Sequence, residues 1–175
     1  MKNKSVVIIC GDPKSTFNEI LIKTIKNKVY KNSKFPIIII CSEKLFQNEI
    51  KKQKVKLNLQ KFENQTNLRK NKIYIFDIPL KNGKLSLIKK NEYIKKSFKV
   101  GLNLLRKKNL LALINGPISK TTFLKGKYKG ITEYLALKTG SLNEVMLIFN
   151  KELSVSPITT HVPINKVSQK IKKEV

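Results

Sequence analysis

The sequence predicts an open α/β sheet, and three observations carry that prediction. First, short continuous apolar runs rich in β-branched residues recur: Val6 to Cys10, Ile37 to Ile40, Ile73 to Phe76 and Leu111 to Ile114. Runs of this length and composition read as strands buried on both faces, as in a parallel sheet. Second, stretches with apolar residues at helical spacing lie between them, and strands alternating with helices define the α/β class. Third, each run ends in turn chemistry: Gly11-Asp12-Pro13, Ser42, Pro79 and Asn115-Gly116-Pro117.

In chain order, Ser5 to Cys10 is the first strand. Ser15 or Thr16 is placed to cap a helix whose stripe is Ile20, Leu21, Ile25 and Val29. Pro36 opens the Ile37 strand, and Ser42 is placed to cap a short helix with Leu45, Phe46 and Ile50 inward. Val55, Leu57 and Leu59 alternate with polar residues, which predicts a half-buried strand. Glu63 to Lys70 reads as a loop, Ile73 to Phe76 as a strand, and Asn82-Gly83 as a turn. Tyr93, Ile94, Phe98, Leu102 and Leu105 predict a helix from near Asn91 to Lys108, leading into a buried strand at Leu111 to Ile114. A further helix is predicted from Thr132 to Lys138, stopped by Gly140. Val145 to Phe149 and Leu153 to Thr160 read as two more strands, and Ile164, Val167 and Ile171 as the start of an amphipathic helix. With no repeat, linker or low-complexity segment, residues 1–175 read as a single α/β unit.

Composition narrows the function classes. There are 37 basic residues against 11 acidic, for a net charge of +26. Such an excess suits an anionic partner, but only Arg69 and Arg106 are arginine. Base-edge and bidentate phosphate recognition favour arginine's planar fork, and the lysines run from end to end rather than in a stripe. The expectation is a solvated lysine surface and no nucleic-acid partner. No apolar run reaches the length of a membrane span. Val6 to Cys10 is too short for a signal-peptide core, so the reading is a cytoplasmic protein. Cys10 and Cys41 give neither a metal spacing nor a disulfide framework and read as buried thiols. No Walker loop, GxGxxG or nucleophile–base arrangement is present, so no catalytic residue is assigned.

The loop beyond a strand's carboxyl end is where an α/β sheet binds ligands. Three such stretches stand out: Gly116-Pro117-Ile118-Ser119-Lys120, then Gly130-Ile131-Thr132-Glu133-Tyr134-Leu135-Ala136, then Thr159-Thr160-His161-Val162-Pro163. In that order and spacing, with a weaker match at Gly11-Asp12-Pro13, the sequence resembles the 4-hydroxythreonine-4-phosphate dehydrogenase family of vitamin B6 biosynthesis. The resemblance implies a three-layer α/β/α fold of the isocitrate and isopropylmalate dehydrogenase type, here incomplete at its carboxyl end because family members continue past this length. It implies NAD- or NADP-dependent oxidation of 4-phosphooxy-L-threonine, with decarboxylation assisted by a divalent metal such as zinc, magnesium or cobalt. It implies a homodimer, or for a short chain a complementary carboxyl-terminal fragment.

Residue by residue, the resemblance makes His161, the only histidine, a metal ligand. It makes Thr132 a substrate contact, where a hydroxyl at a helix start suits a phosphate and equally suits a plain N-cap. Lys120 matches the lysine after the Gly-Pro turn, where it can pair with an anion or simply be a surface charge. Ile131 occupies the position of a family histidine and can neither donate a hydrogen bond nor carry charge. Lys14 to Asn18 replaces the family's glycine loop. The alternatives are a truncated or inactive family member without activity of its own and, behind it, a basic nucleic-acid-binding protein.

Overall fold

A computed structural model describes residues 4–27, 33–63, 68–80, 86–106, 110–128, 130–141, 144–159 and 162–171. They fall in two compact units, residues 1–123 and 124–175.

The first unit is built on a five-stranded sheet in the order β3-β4-β2-β1-β5, with every pairing parallel. Its strands are β1 (Ser5–Ile9), β2 (Ile37–Cys41), β3 (Leu59–Lys61), β4 (Ile73–Asp77) and β5 (Leu110–Asn115). The predicted apolar runs supply four of them. β1, β2 and β4 are central and almost wholly buried, so side chains on both faces are apolar.

Two helices, α1 (Phe17–Lys26) and α2 (Glu43–Lys52), cover one face. Leu21, Ile22, Ile25, Phe46 and Ile50 pack there against Ile8, Cys10, Ile39, Cys41, Ile73 and Ile75. The long helix α3 (Leu87–Arg106) lies on the other face, where Gly101 lets it approach Ile9 and Leu113. The result is three layers, helix–sheet–helix.

Several expectations are corrected. Ile20 is 56% exposed, and the inward stripe of α1 is Leu21, Ile22 and Ile25. Ser42 sits at the N-cap of α2 without a side-chain cap bond; the Asp77 carboxylate accepts from Glu43 N–H at 2.9 Å instead. α3 begins at Leu87, because Ser86 Oγ accepts from Lys89 N–H, and its first apolar residues, Leu87 and Ile88, face solvent. Only Leu59 to Lys61 pairs as a strand; residues 55–58 are half-buried or exposed and unpaired by strand criteria. Leu111 and Ile114 of β5 are about half exposed, because β5 lies at the end of the described sheet. Val29 and Asn82-Gly83 lie outside the described residues.

In the second unit, α4 (Ile131–Thr139) ends at Gly140, whose φ of 73° is the left-handed C-cap expected there. Tyr128 meets Tyr134 edge-on at 5.3 Å. Of the two predicted strands only β6 (Ile148–Phe149) and β7 (Ser154–Val155) pair, as an antiparallel ribbon. A single 3-10 turn (Ile164–Lys166) and α5 (Val167–Lys170) follow. No helix among the described residues is long and apolar enough to cross a membrane.

Candidate functional site

Strand order locates the site in the first unit. β1 lies between β2 and β5, and the chain leaves it toward β2 but returns to its other side through α3 and β5. The carboxyl edge between β1 and β5 is therefore the switch point at which open α/β sheets hold ligands. The loops there are Gly11 to Thr16, after β1, and Gly116 to Thr122, after β5.

Backbone bonds lock these loops together. Gly116 N–H donates to Ile9 O at 2.7 Å, and Asp12 N–H to Pro117 O at 2.8 Å. The approach demands glycine at both points. A Cβ on Gly116 would lie 2.4 Å from Cys10 O, and one on Gly11 would lie 2.4 Å from Pro117 O. Gly11 also has φ +73°, which side-chain-bearing residues rarely adopt.

Asp12 is the polar hub of this edge. Its Oδ1 accepts from Lys14 N–H at 3.0 Å, and its carbonyl from Ser15 Oγ at 2.7 Å. Its Oδ2 pairs with Lys90 Nζ, from the first turns of α3, at 2.8 Å, and both side chains are mostly buried. Next to Lys90, Asn91 Nδ2 donates to Thr122 O at 2.9 Å. Asn91 Oδ1 and Thr122 Oγ1 are both buried without a hydrogen-bond partner among the described residues. Ser119 Oγ accepts from Thr122 N–H at 3.2 Å, shaping the turn that carries exposed Lys120.

On the neighbouring strand ends, Tyr93 Oη accepts the buried Ser42 N–H at 2.9 Å. Burial pushes the Tyr93 phenol far above its ordinary range. Cys10 and Cys41 are adjacent and buried; a hydrogen bond between the thiols, then burial, pushes Cys41 well above the usual thiol range. Buried thiols of this kind are poor nucleophiles. A separate cavity of about 370 Å³ lies between Lys14, Ser15, Asn18, Leu45 and Lys52. It is lined by the loop after β1 together with α1 and α2, and its mixed charges select no ligand class.

The residues singled out in sequence are distributed over both units. Lys120 is in the first. Ile131 and Thr132 open α4 in the second, both half-buried, with Gly130 in the N-cap position. Thr132 is thus inside the first helical turn and is not the N-cap. His161 and Thr160 lie outside the described residues. Among the described residues no three His, Cys, Asp or Glu side chains gather to hold a metal ion, so these residues do not by themselves fit a metal shell. Sequence reasoning missed Lys90, Asn91 and Thr122; nothing in their local pattern marks them, and Lys90 is one lysine among many.

A parallel sheet between helical layers, with polar loops at the switch point, defines a three-layer α/β protein. Solved structures place it further. A 4-hydroxythreonine-4-phosphate dehydrogenase from Burkholderia phymatum superposes over 97% of this chain and 54% of its own, with TM-score 0.81 and 22% identity. The fold is therefore the isocitrate dehydrogenase-like α/β/α type. A family model described as "Pyridoxal phosphate biosynthetic protein PdxA" matches residues 33–175, and the chain belongs to that family. A 4-hydroxythreonine-4-phosphate dehydrogenase from Sulfurihydrogenibium sp. is 30% identical over 97% of this chain and 53% of its own length. The protein of the same description from Aquifex aeolicus is 27% identical over 98% and 54%. The chain spans about half the length of the curated relatives it matches.

Proposed function

We propose that this chain forms the substrate-gathering part of a 4-hydroxythreonine-4-phosphate dehydrogenase. The reaction is NAD- or NADP-dependent oxidation of 4-phosphooxy-L-threonine, with loss of carbon dioxide to give 3-amino-2-oxopropyl phosphate. The observation that carries this reading is the family match over residues 33–175. The order of the Gly116, Gly130 and Thr159 segments supports it.

In this reading Thr132, in the first turn of α4, meets the phosphate with its hydroxyl and the free N–H groups of the helix start. Ile131 adds nothing to that contact. Lys120, exposed after the Gly116-Pro117 turn of the first unit, offers charge to an anionic group of the substrate. A divalent metal, when bound, supplies Lewis-acid polarisation; His161 is this chain's contribution to its shell. The remaining ligands come from elsewhere, either a second copy in a homodimer or a complementary carboxyl-terminal half. The protein works in the cytoplasm, without nucleic-acid or membrane partners.

Affinity tests the reading. Calorimetric titration should show 4-phosphooxy-L-threonine binding more tightly than L-threonine, and Thr132→Val should remove most of the difference. Equal affinity for the two compounds would show that this chain makes no phosphate site, and would favour a family member without activity of its own.

A further inference from the structure

The second unit carries an apolar surface that it leaves bare. Val145, Leu147, Ile148, Phe149, Leu153 and Val155 are all exposed, Phe149 by 73%. They lie in and beside the β6–β7 ribbon, where Ile148 is paired with Val155 and Phe149 with Ser154. Successive strand residues point to opposite sides, so Ile148 and Val155 share one face of the ribbon and Leu147 and Phe149 the other. Strands that are apolar on both faces belong inside a layered sheet. A two-stranded ribbon by itself is at best marginally stable in water. Charge marks the same stretch. Residues 139–165 hold a single lysine, Lys151 between the two strands, in a chain with 37 basic residues among 175. Lysine is depleted where proteins meet, because its charge loses water there.

Two faces need covering, and that selects the occupant. A second copy of the ribbon, paired edge to edge, leaves both faces bare; stacked face to face, it leaves one. Two copies also repel, since each carries a net charge of +26. A partner that brings helices to both faces satisfies the ribbon completely. The family match runs over residues 33–175 and so includes the ribbon, while the chain spans about half the length of its relatives. The relatives therefore carry this segment together with a further half. We propose that the β6–β7 ribbon is the docking surface for a polypeptide equivalent to that further half, which covers both faces and makes the two strands internal to a larger sheet. The choice of partner rests on the proposed function, where a complementary carboxyl-terminal half is one source of the remaining ligands.

The test is sedimentation equilibrium of the full chain coexpressed with the part of the Sulfurihydrogenibium relative that it does not span. A one-to-one complex is expected. Ile148→Lys and Phe149→Lys, one on each face, should each weaken it at least about thirtyfold, the scale of a central interface residue. Ile20→Lys, at an exposed apolar position on α1, should leave it unchanged. Both ribbon residues are exposed in the chain alone, so neither substitution should lower its Tm. If the added half does not fold as a separate polypeptide, joining it to Val175 decides: the two ribbon substitutions should lower the Tm of the joined protein and leave that of the chain alone unchanged. A complex or joined protein indifferent to both substitutions overturns the proposal. So does a homodimer of the chain alone that the same substitutions dissociate, which would make a second copy the occupant. Because no substrate, metal or turnover is read, a failed docking surface and a failed dehydrogenase assignment give different results.

Discussion

Gly11→Ala probes the lock between the two loops at the sheet edge. Alanine at φ +73° costs roughly 1–2 kcal/mol in the left-handed region. Its Cβ would also stand 2.4 Å from Pro117 O, a backbone atom that cannot swing aside. Relieving that overlap costs about 1–3 kcal/mol by analogy with overpacked cores. Moving Pro117 O away also loses its bond from Asp12 N–H, worth about 1 kcal/mol. The expected destabilisation is therefore about 3–6 kcal/mol, a large part of a typical domain's stability. The assay is urea unfolding of the full chain followed by circular dichroism, where the midpoint should fall by roughly 1 M or more at constant slope. Gly126→Ala is the control. Gly126 has a similar φ, +67°, but a Cβ there meets nothing within 4 Å, so only the backbone cost of roughly 1–2 kcal/mol should appear. If the two substitutions cost the same, the loops are not interlocked as described.

Tyr93→Phe should cost about 1–3 kcal/mol in urea, because it leaves the buried Ser42 N–H without its acceptor; a neutral result would refute that bond. Stability should fall as pH rises. The folded-state values of Cys41 and Tyr93 are both raised, so the unfolded chain ionises first, near pH 8.5 for the thiol and near 10 for the phenol. Each contribution is intact below those values and lost above them, and a flat profile from pH 8 to 11 would contradict this. The chain alone should show no metal-dependent NAD reduction with 4-phosphooxy-L-threonine, since in the proposed reading an imidazole is needed where Ile131 stands and His161 is the only imidazole in the sequence. Turnover by the chain alone that His161→Ala abolishes would disprove this.

The sheet was largely legible because its strands are continuous β-branched runs, a signal set by burial on both faces. β5 shows the limit of that signal. Leu111 and Ile114 have the composition of a central strand but stand about half exposed at the end of the described sheet, and composition does not state a strand's place in the order. The start of α3 was hidden because Leu87 and Ile88 lie off the inward stripe and the helix is set by the Ser86 cap. Val145 to Phe149 carried strand composition, yet only two residues pair, because register depends on a partner strand that local pattern does not name. The glycines at 11 and 116 were readable as turns, but their mutual approach was not, since 105 positions of chain separate them. Lys90, Asn91 and Thr122 acquire meaning only through the folding of α3 beside the loop after β5.

The most direct measurement is nicotinamide reduction by a reconstituted mixture. This chain would be combined with the remainder of the Sulfurihydrogenibium relative that it does not span, with 4-phosphooxy-L-threonine, NAD and a divalent metal. Carbon dioxide and 3-amino-2-oxopropyl phosphate would be quantified alongside the reduced cofactor. Neither part alone should turn over, and the mixture should form the three products in equal amounts, with activity lost in His161→Ala. A folded, associated mixture that binds 4-phosphooxy-L-threonine but never reduces the nicotinamide would contradict the assignment of this chain to the reaction.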